Sequence, residues 1–197
     1  MNGLSVYDLI LKRRTIRRFQ QREIADEILK RIVNAGRLAP SGANLQPLEF
    51  ILVTDSSLLG KVFATLRWAG YIAPAGDPPE GKRPVAYVIV LINTEIKKEK
   101  GEIDAAAAIE NMILTAQEEG IGSCWLGSIE RDKIRSIFKI PDCYVIDSIL
   151  ALGYPDEKPV VEETTDSIKY WKDENGILHV PKRRLEDLLH YNQFRHD

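Results

Sequence analysis

The chain has little of what metal, disulfide-stapled and membrane proteins need. Its 197 residues include two cysteines and three histidines, and Cys124 and Cys143 form no CxxC pair. Neither a metal site nor a disulfide framework is therefore expected. No apolar run reaches the ~20 residues of a membrane span, and the N-terminus has no apolar signal-peptide core. We expect no metal, no membrane association and a location in the reducing cytoplasm.

Neither positive nor negative charge is in large excess. Lys and Arg number 27 against 29 Asp and Glu, so the formal net charge is -2. Nucleic-acid and anionic-lipid surfaces need a basic excess, and the composition therefore predicts neither partner. A hydrophobic content of 44% in a chain of this length is typical of one globular domain, spanning residues 1–197.

What the chain does contain is a compact basic cluster. Residues 12–19 read Lys-Arg-Arg-Thr-Ile-Arg-Arg-Phe. Guanidinium forks beside a hydroxyl and backbone N–H groups suit a single phosphate. The alternative is a solvated helix end, where basic side chains meet the helix dipole, and composition alone favours it. Ile16 and Phe19 argue against free solvation, because they would anchor the run to the core.

Three further segments carry polar or glycine-rich patterns. Residues 39–47, Ala-Pro-Ser-Gly-Ala-Asn-Leu-Gln-Pro, put amides and a hydroxyl on a stiff backbone, which suggests a heteroaromatic ligand; a connecting loop is the alternative. Residues 120–127 read Gly-Ile-Gly-Ser-Cys-Trp-Leu-Gly and lack GxGxxG, so a Rossmann site is not supported. Taken alone, this segment fits a buried edge strand as well as it fits a ligand-binding segment. Residues 182–184, Lys-Arg-Arg, read alone as a solvated turn.

The hydrophobic pattern predicts alternating helices and strands. After a first helix that follows a Ser5–Asp8 capping pair, the predicted helices are 25–38, 57–68, 102–119 and 131–138, and the predicted strands are 48–54, 84–93, 123–127 and 145–153. The Pro- and Gly-rich segment 73–84 is expected to be an exposed, mobile loop. The polar tail regains order at 177–180 and in a last helix at 185–190. Alternation alone would favour a doubly wound parallel sheet.

Taken together, these segments resemble the nitroreductase family of FMN-dependent oxidoreductases. Residues 13–19 are similar to the family's Arg-Arg-Ser-x-Arg-x-Phe segment, with Thr15 keeping the hydroxyl. Residues 40–47 and 120–127, with Leu-Gly-Tyr-Pro at 152–155, follow in the family's order. The resemblance implies an α+β fold with a mixed, largely antiparallel central sheet flanked by helices. It also implies a homodimer with FMN sites at the interface, and we expect the tail 155–197 to wrap the partner subunit and supply an exchanged C-terminal strand.

The resemblance also assigns residues to the FMN. Arg13, Arg14 and Thr15 would hold the ribityl chain and phosphate, and Arg17 would reach the N1/C2-carbonyl edge, where a guanidinium stabilises the reduced anion. The remaining cofactor contacts would be Pro40, Ser41, Gly42, Ala43, Asn44 and Gln46 from the other subunit, Trp125, Leu126 and Gly127 along the ring, and Arg183 at the phosphate. Trp68 and Tyr71 are candidates for stacking on a substrate, although an aromatic pair at this spacing more often belongs to the core.

The implied activity is a ping-pong hydride transfer from NAD(P)H to FMN and then to a small-molecule acceptor, a nitroaromatic, quinone or flavin. No catalytic side chain is expected, because the flavin performs the chemistry and Arg17 tunes it. Two alternatives stay open. The chain could be a flavin-binding reservoir or sensor without significant turnover, or a regulatory domain whose arginines hold a nucleotide other than FMN.

Overall fold

A four-stranded antiparallel sheet forms the centre of the molecule. The computed structural model describes residues 4–194, and the sheet order is β1-β2-β4-β3, with every neighbouring pair antiparallel. The strands are β1 (Leu48–Val53), β2 (Ala86–Asn93), β3 (Gly122–Leu126) and β4 (Tyr144–Gly153). The doubly wound parallel sheet favoured by alternation is wrong, and the α+β fold that the resemblance implies is confirmed. One parallel bridge, between Thr15 and Ser123, lies at the β3 edge.

Helices cover both faces of this sheet. They are α1 (Val6–Lys12), α2 (Asp26–Arg37), α3 (Ser56–Phe63), α4 (Gly101–Glu118) and α5 (Arg131–Phe138). Alternate residues of β2 point to opposite faces: Val88 and Val90 pack in one core with α2 and α4, whereas Tyr87 and Ile89 pack in the other with α3 and α5. Burial on both faces explains why β2 reads as a continuous apolar run.

The basic segment crosses the edge of the sheet and is held there by close contacts. The Ile16 N–H donates to the Ser123 carbonyl at 2.9 Å, and Phe19 is fully buried. Gly122 and Gly153 make room for these two side chains, because an added Cβ would lie 2.8 Å from Ile16 and 2.7 Å from Phe19. The anchoring expected of Ile16 and Phe19 is therefore present, and it fixes the backbone between them.

The tail folds against its own chain as a small second sheet. Its order is β5 (Val160–Thr164), β7 (Leu178–Arg183) and β6 (Trp171–Lys172), with β5 and β7 parallel. The order expected at 177–180 corresponds to β7. The expected helix at 185–190 is wrong, since only one 3-10 turn forms, at Leu185–Asp187. Exchange of a strand with a partner stays a prediction.

Two other segments differ from expectation. The helix predicted over 57–68 ends at Phe63, where the Thr65 hydroxyl donates to the Val62 carbonyl at 2.7 Å and so competes with helix continuation. The segment 73–84 contains neither helix nor strand, yet Gly76, Pro78 and Pro84 within it are buried. Among residues 4–194, no helix is both long and apolar enough to cross a bilayer.

Candidate functional site

The first two arginines of the basic cluster, Arg13 and Arg14, differ in the contacts that their side chains make. Arg14 donates from Nη2 to the Leu11 carbonyl at 2.6 Å and also to the Arg13 carbonyl, so it caps the C-terminal end of α1. Burial lowers the pKa of Arg14, and the positive charge of Arg13 lowers it further. The Arg13 guanidinium itself has no hydrogen bond or ion pair within residues 4–194. An anion beside Arg13 would therefore weaken the repulsion between the Arg13 and Arg14 charges and would accept hydrogen bonds from the Arg13 guanidinium.

Arg17 holds a buried donor that the protein does not use. Its Nε is shielded from solvent and has no hydrogen-bond partner among the residues described. Its guanidinium carbon lies 5.2 Å from the centroid of the Tyr170 ring, and its positive charge acts to lower the pKa of the Cys124 thiol. Buried N–H groups are normally paired, so an unpaired one on a charged side chain marks the place of a ligand acceptor atom.

Cys124 is a buried residue of β3 and is unsuited to nucleophilic chemistry. Burial raises the pKa of the thiol to about 11, although the charge of Arg17 opposes the shift. The thiolate is the nucleophilic form, so the side chain is inert at neutral pH. Burial likewise raises the pKa of the nearby Tyr87 hydroxyl.

Glu157 holds the backbone of the basic cluster in place, and no sequence motif predicts this role. Its Oε1 accepts from the backbone N–H of Arg17 at 2.5 Å and of Arg18 at 3.3 Å, and its Oε2 lies 3.5 Å from Arg18 Nη1. The carboxylate side chain is 12% exposed. It joins the segment after β4 to the basic segment across 140 residues of sequence. Such long-range pairing follows from the fold and from no local pattern.

The polar loop after α2 has an unusual backbone. Ala43, Asn44 and Gln46 adopt positive φ angles of 51°, 55° and 50°. Left-handed conformations cost energy in residues other than glycine and cluster at ligand sites. The loop is held by Asp104, whose Oδ1 accepts from the Gly42 N–H at 3.1 Å and whose Oδ2 pairs with Lys97 at 2.6 Å. A buried ion pair therefore fixes the strained loop.

This loop and the arginines lie at opposite ends of α4. The loop contacts Asp104 near the N-terminal end, whereas Arg14 and Ile16 line a cavity of about 170 Å³ with Gln117 and Gly120 at the C-terminal end. Thirteen residues of α-helix between Asp104 and Gln117 span roughly 20 Å. One chain alone does not bring these two groups of predicted site residues together.

The other predicted residues are spread around the β3 edge and beyond it. Trp125 is 42% exposed and, by strand alternation, lies on the sheet face opposite Cys124 and the buried Leu126. Gly127, just after β3, is exposed. Arg183 donates to the Asp187 carbonyl and lines a tail cavity that includes none of residues 13–17.

The two candidate substrate-binding aromatics occupy different environments. Trp68 is 4% exposed, stacks on Phe63 and belongs to the α3–α5 core, which favours the core alternative. Tyr71 is 58% exposed and contacts Tyr170, with ring centroids 4.9 Å apart. No cluster of His, Cys, Asp and Glu suited to a metal occurs in the part of the chain that the structure describes.

The chain is similar to known proteins in both sequence and fold. Residues 10–154 match the family model described as Nitroreductase family. An Archaeoglobus fulgidus protein named NADH dehydrogenase/NAD(P)H nitroreductase is 35% identical over 162 residues, which cover 78% of this chain and 88% of the relative. A Desulfovibrio desulfuricans protein described as a nitroreductase in complex with FMN superposes with a TM-score of 0.72 at 24% identity, covering 98% and 100% of the two chains. An FMN-dependent nitroreductase of Clostridium difficile gives 0.69 at 25% identity, covering 94% and 98%.

Proposed function

The chain belongs to the nitroreductase family, and from this premise we propose that it is an FMN-dependent oxidoreductase. It takes a hydride from NADH or NADPH and passes electrons to a nitroaromatic, quinone or flavin in a ping-pong sequence. The observation that carries the proposal is Arg17, whose buried Nε donor has no acceptor among residues 4–194. A flavin ring offers acceptors along its N1/C2-carbonyl edge, and reduction concentrates negative charge there.

The residues present fit FMN. Arg13, with an unpaired guanidinium, and Thr15, beside it at the β3 edge, would hold the phosphate and ribityl chain. Arg17 would contact the ring edge. FMN, when bound, supplies the hydride-accepting and electron-donating chemistry that no side chain of this site can perform. The protein's part is to orient the cofactor and to stabilise negative charge with Arg17, while Glu157 holds the backbone that carries this arginine.

A second copy of the chain would complete the site. The loop at 40–46 and the arginine cluster lie at opposite ends of α4, so a two-fold partner can bring its loop to this chain's arginines. Exposed apolar side chains support this arrangement, because Val6, Leu38 and Ile103 are 65%, 63% and 62% exposed. Apolar surface of this kind marks an interface. The active unit that we propose is therefore a homodimer with two FMN sites.

The test of the proposed function is anaerobic reduction by the pyridine nucleotides. Protein loaded with FMN is mixed with NADH or NADPH without oxygen, and the flavin absorbance is followed. We expect bleaching with at least one donor and recovery of the colour on adding a quinone or nitroarene. Protein that holds FMN tightly, is reduced by dithionite and stays yellow with both donors would instead be a flavin reservoir or sensor. Protein that binds no added FMN would point to another nucleotide.

A further inference from the structure

The C-terminal segment of the chain reaches back to Arg17. The Tyr170 ring lies 5.2 Å from the Arg17 guanidinium carbon and 4.9 Å from the Tyr71 ring. The Tyr71 N–H donates to the Tyr170 hydroxyl at 3.4 Å. Tyr71 is mostly exposed and Tyr170 half-buried. Two rings from distant parts of the chain therefore form an aromatic wall beside Arg17, and one of them is open to solvent.

Positive charge exceeds negative charge around this wall. Lys172 Nζ donates to the Ala75 carbonyl at 3.3 Å, and Arg18 Nη2 reaches the same oxygen at 3.5 Å. Burial lowers the pKa of Lys172, and the charges of Arg18 and Arg17 lower it further, against the opposing effect of Glu157. Glu157 pairs with Arg18, whereas neither Arg17 nor Lys172 forms an ion pair among residues 4–194, so two positive charges stand beside the rings without a carboxylate partner there.

We propose that Tyr71, Tyr170 and Lys172 form the electron-acceptor side of the site and select a flat aromatic acceptor that carries a negative group such as a carboxylate. This inference rests on the proposed function and names its acceptor class. The rings offer faces for stacking. The Lys172 ammonium has three N–H donors and gives one to Ala75, so two remain for an anion. A neutral acceptor of the same shape would leave this partly buried charge unpaired.

The decisive experiment measures binding without turnover. Oxidised protein loaded with FMN is titrated with benzoate and with its neutral isostere benzamide, and the flavin spectrum reports binding. We expect benzoate to bind more tightly. Lys172→Gln should weaken benzoate about tenfold and leave benzamide nearly unchanged, whereas Lys172→Arg should retain the preference for the anion.

Lys169→Gln is the matched control. It removes the same charge from an exposed position three residues away in the same segment, and it should leave the preference for benzoate intact. Equal binding of benzoate and benzamide to the wild-type protein would overturn the proposal. A loss of preference in Lys169→Gln as large as in Lys172→Gln would also overturn it. The preference would then come from the net positive charge of the segment and not from a direct contact between Lys172 and the carboxylate.

The aromatic wall is tested in the same titration. Tyr170→Leu removes the ring and should weaken both ligands to a similar extent, whereas Tyr170→Phe, which keeps the ring, should weaken them much less. Unchanged binding of both ligands to Tyr170→Leu would show that the Tyr170 ring does not contact the acceptor.

Turnover then separates this inference from the proposed function. Protein reduced with dithionite is mixed anaerobically with 4-nitrobenzoate or 4-nitrobenzamide, and flavin reoxidation is followed. We expect the carboxylate to react faster at low concentration, and Lys172→Gln to remove that advantage. If NADH and NADPH bleach the flavin but both nitroarenes reoxidise it equally, only the acceptor inference fails. If neither donor bleaches it, the proposed function fails, while the benzoate titration still decides on the anion site.

Discussion

Arg17 differs from the other arginines of the cluster in its side chain. Its Nε is buried and has no partner among residues 4–194, and its guanidinium lies against the Tyr170 ring, while its backbone N–H is fixed by Glu157. Its position is thus set by both its main chain and its side chain. A cation held in this way stabilises charge that develops on a bound ligand at little cost in reorganisation.

Replacing Arg17 should change the flavin's reduction potential more than the affinity for FMN. In Arg17→Ala we expect the two-electron potential to fall by about 30 mV, equivalent to about 1.5 kcal/mol for one charge-assisted hydrogen bond. Arg17→Lys keeps a charge and should shift the potential less. Spectroelectrochemical titration of both variants measures the effect. A variant Arg17→Ala that loses FMN but shows wild-type potential in its residual holoprotein would contradict the assigned role.

The residue scale also shows where the sequence stops being informative. The Arg-Arg pair at 13 and 14 predicts a phosphate site, but the sequence does not distinguish the roles of the two side chains. The structure distinguishes them, because Arg14 donates to the carbonyls at the end of α1 while the Arg13 guanidinium has no partner among residues 4–194. Glu157 and Lys172 carry no pattern at all. Their positions depend on how the chain returns to the β3 edge after 140 or more residues.

At the scale of elements, local patterns predict the regular structure well where an element has a core to pack against. The predicted helix 131–138 coincides with α5, and 25–38 and 102–119 lie within a residue of α2 and α4. The pattern fails at 185–190, where Leu185, Leu188 and Leu189 are 69%, 51% and 42% exposed. A short helix needs tertiary packing of its apolar side to be stable, and these residues have little. Strand direction, too, required the family resemblance, since alternation favours the parallel arrangement.

The junction between β3 and the basic segment yields a prediction about stability. In Gly122→Ala the new Cβ would meet the stiff, β-branched Ile16 at 2.8–3.0 Å. We expect a loss of about 1–3 kcal/mol in the free energy of unfolding, from overpacking, and weaker FMN binding, because Ile16 lies between Thr15 and Arg17. Gly60→Ala in α3, where no atom lies within 4 Å, should be neutral or stabilising by about 0.5–1 kcal/mol. Denaturant unfolding of both variants measures this, and equal stability of the two would refute the overpacking.

At the scale of the whole molecule, α4 separates the two groups of predicted site residues. The loop with positive φ angles at its N-terminal end and the arginines at its C-terminal end are each built at some energetic cost, and neither completes a site alone. The two-fold partner that we propose would bring the two groups together and would also cover apolar surface. Ile103 and Leu114 lie eleven residues apart on α4, about three turns, and so on the same stripe. Leu114 lines an open apolar cavity with Val6 and Leu38.

A charge on that stripe should therefore dissolve the dimer and the cofactor site together. In Ile103→Glu we expect sedimentation at the mass of one chain and a large loss of FMN affinity, since an unpaired carboxylate buried at an interface costs several kcal/mol. Ser136→Glu adds the same charge at an exposed position of α5 and should leave both mass and affinity unchanged. If Ile103→Glu sediments as a single chain but still binds FMN like the wild type, one chain holds the whole cofactor site. The loop at 40–46 would then have to serve a purpose other than completing its partner's site.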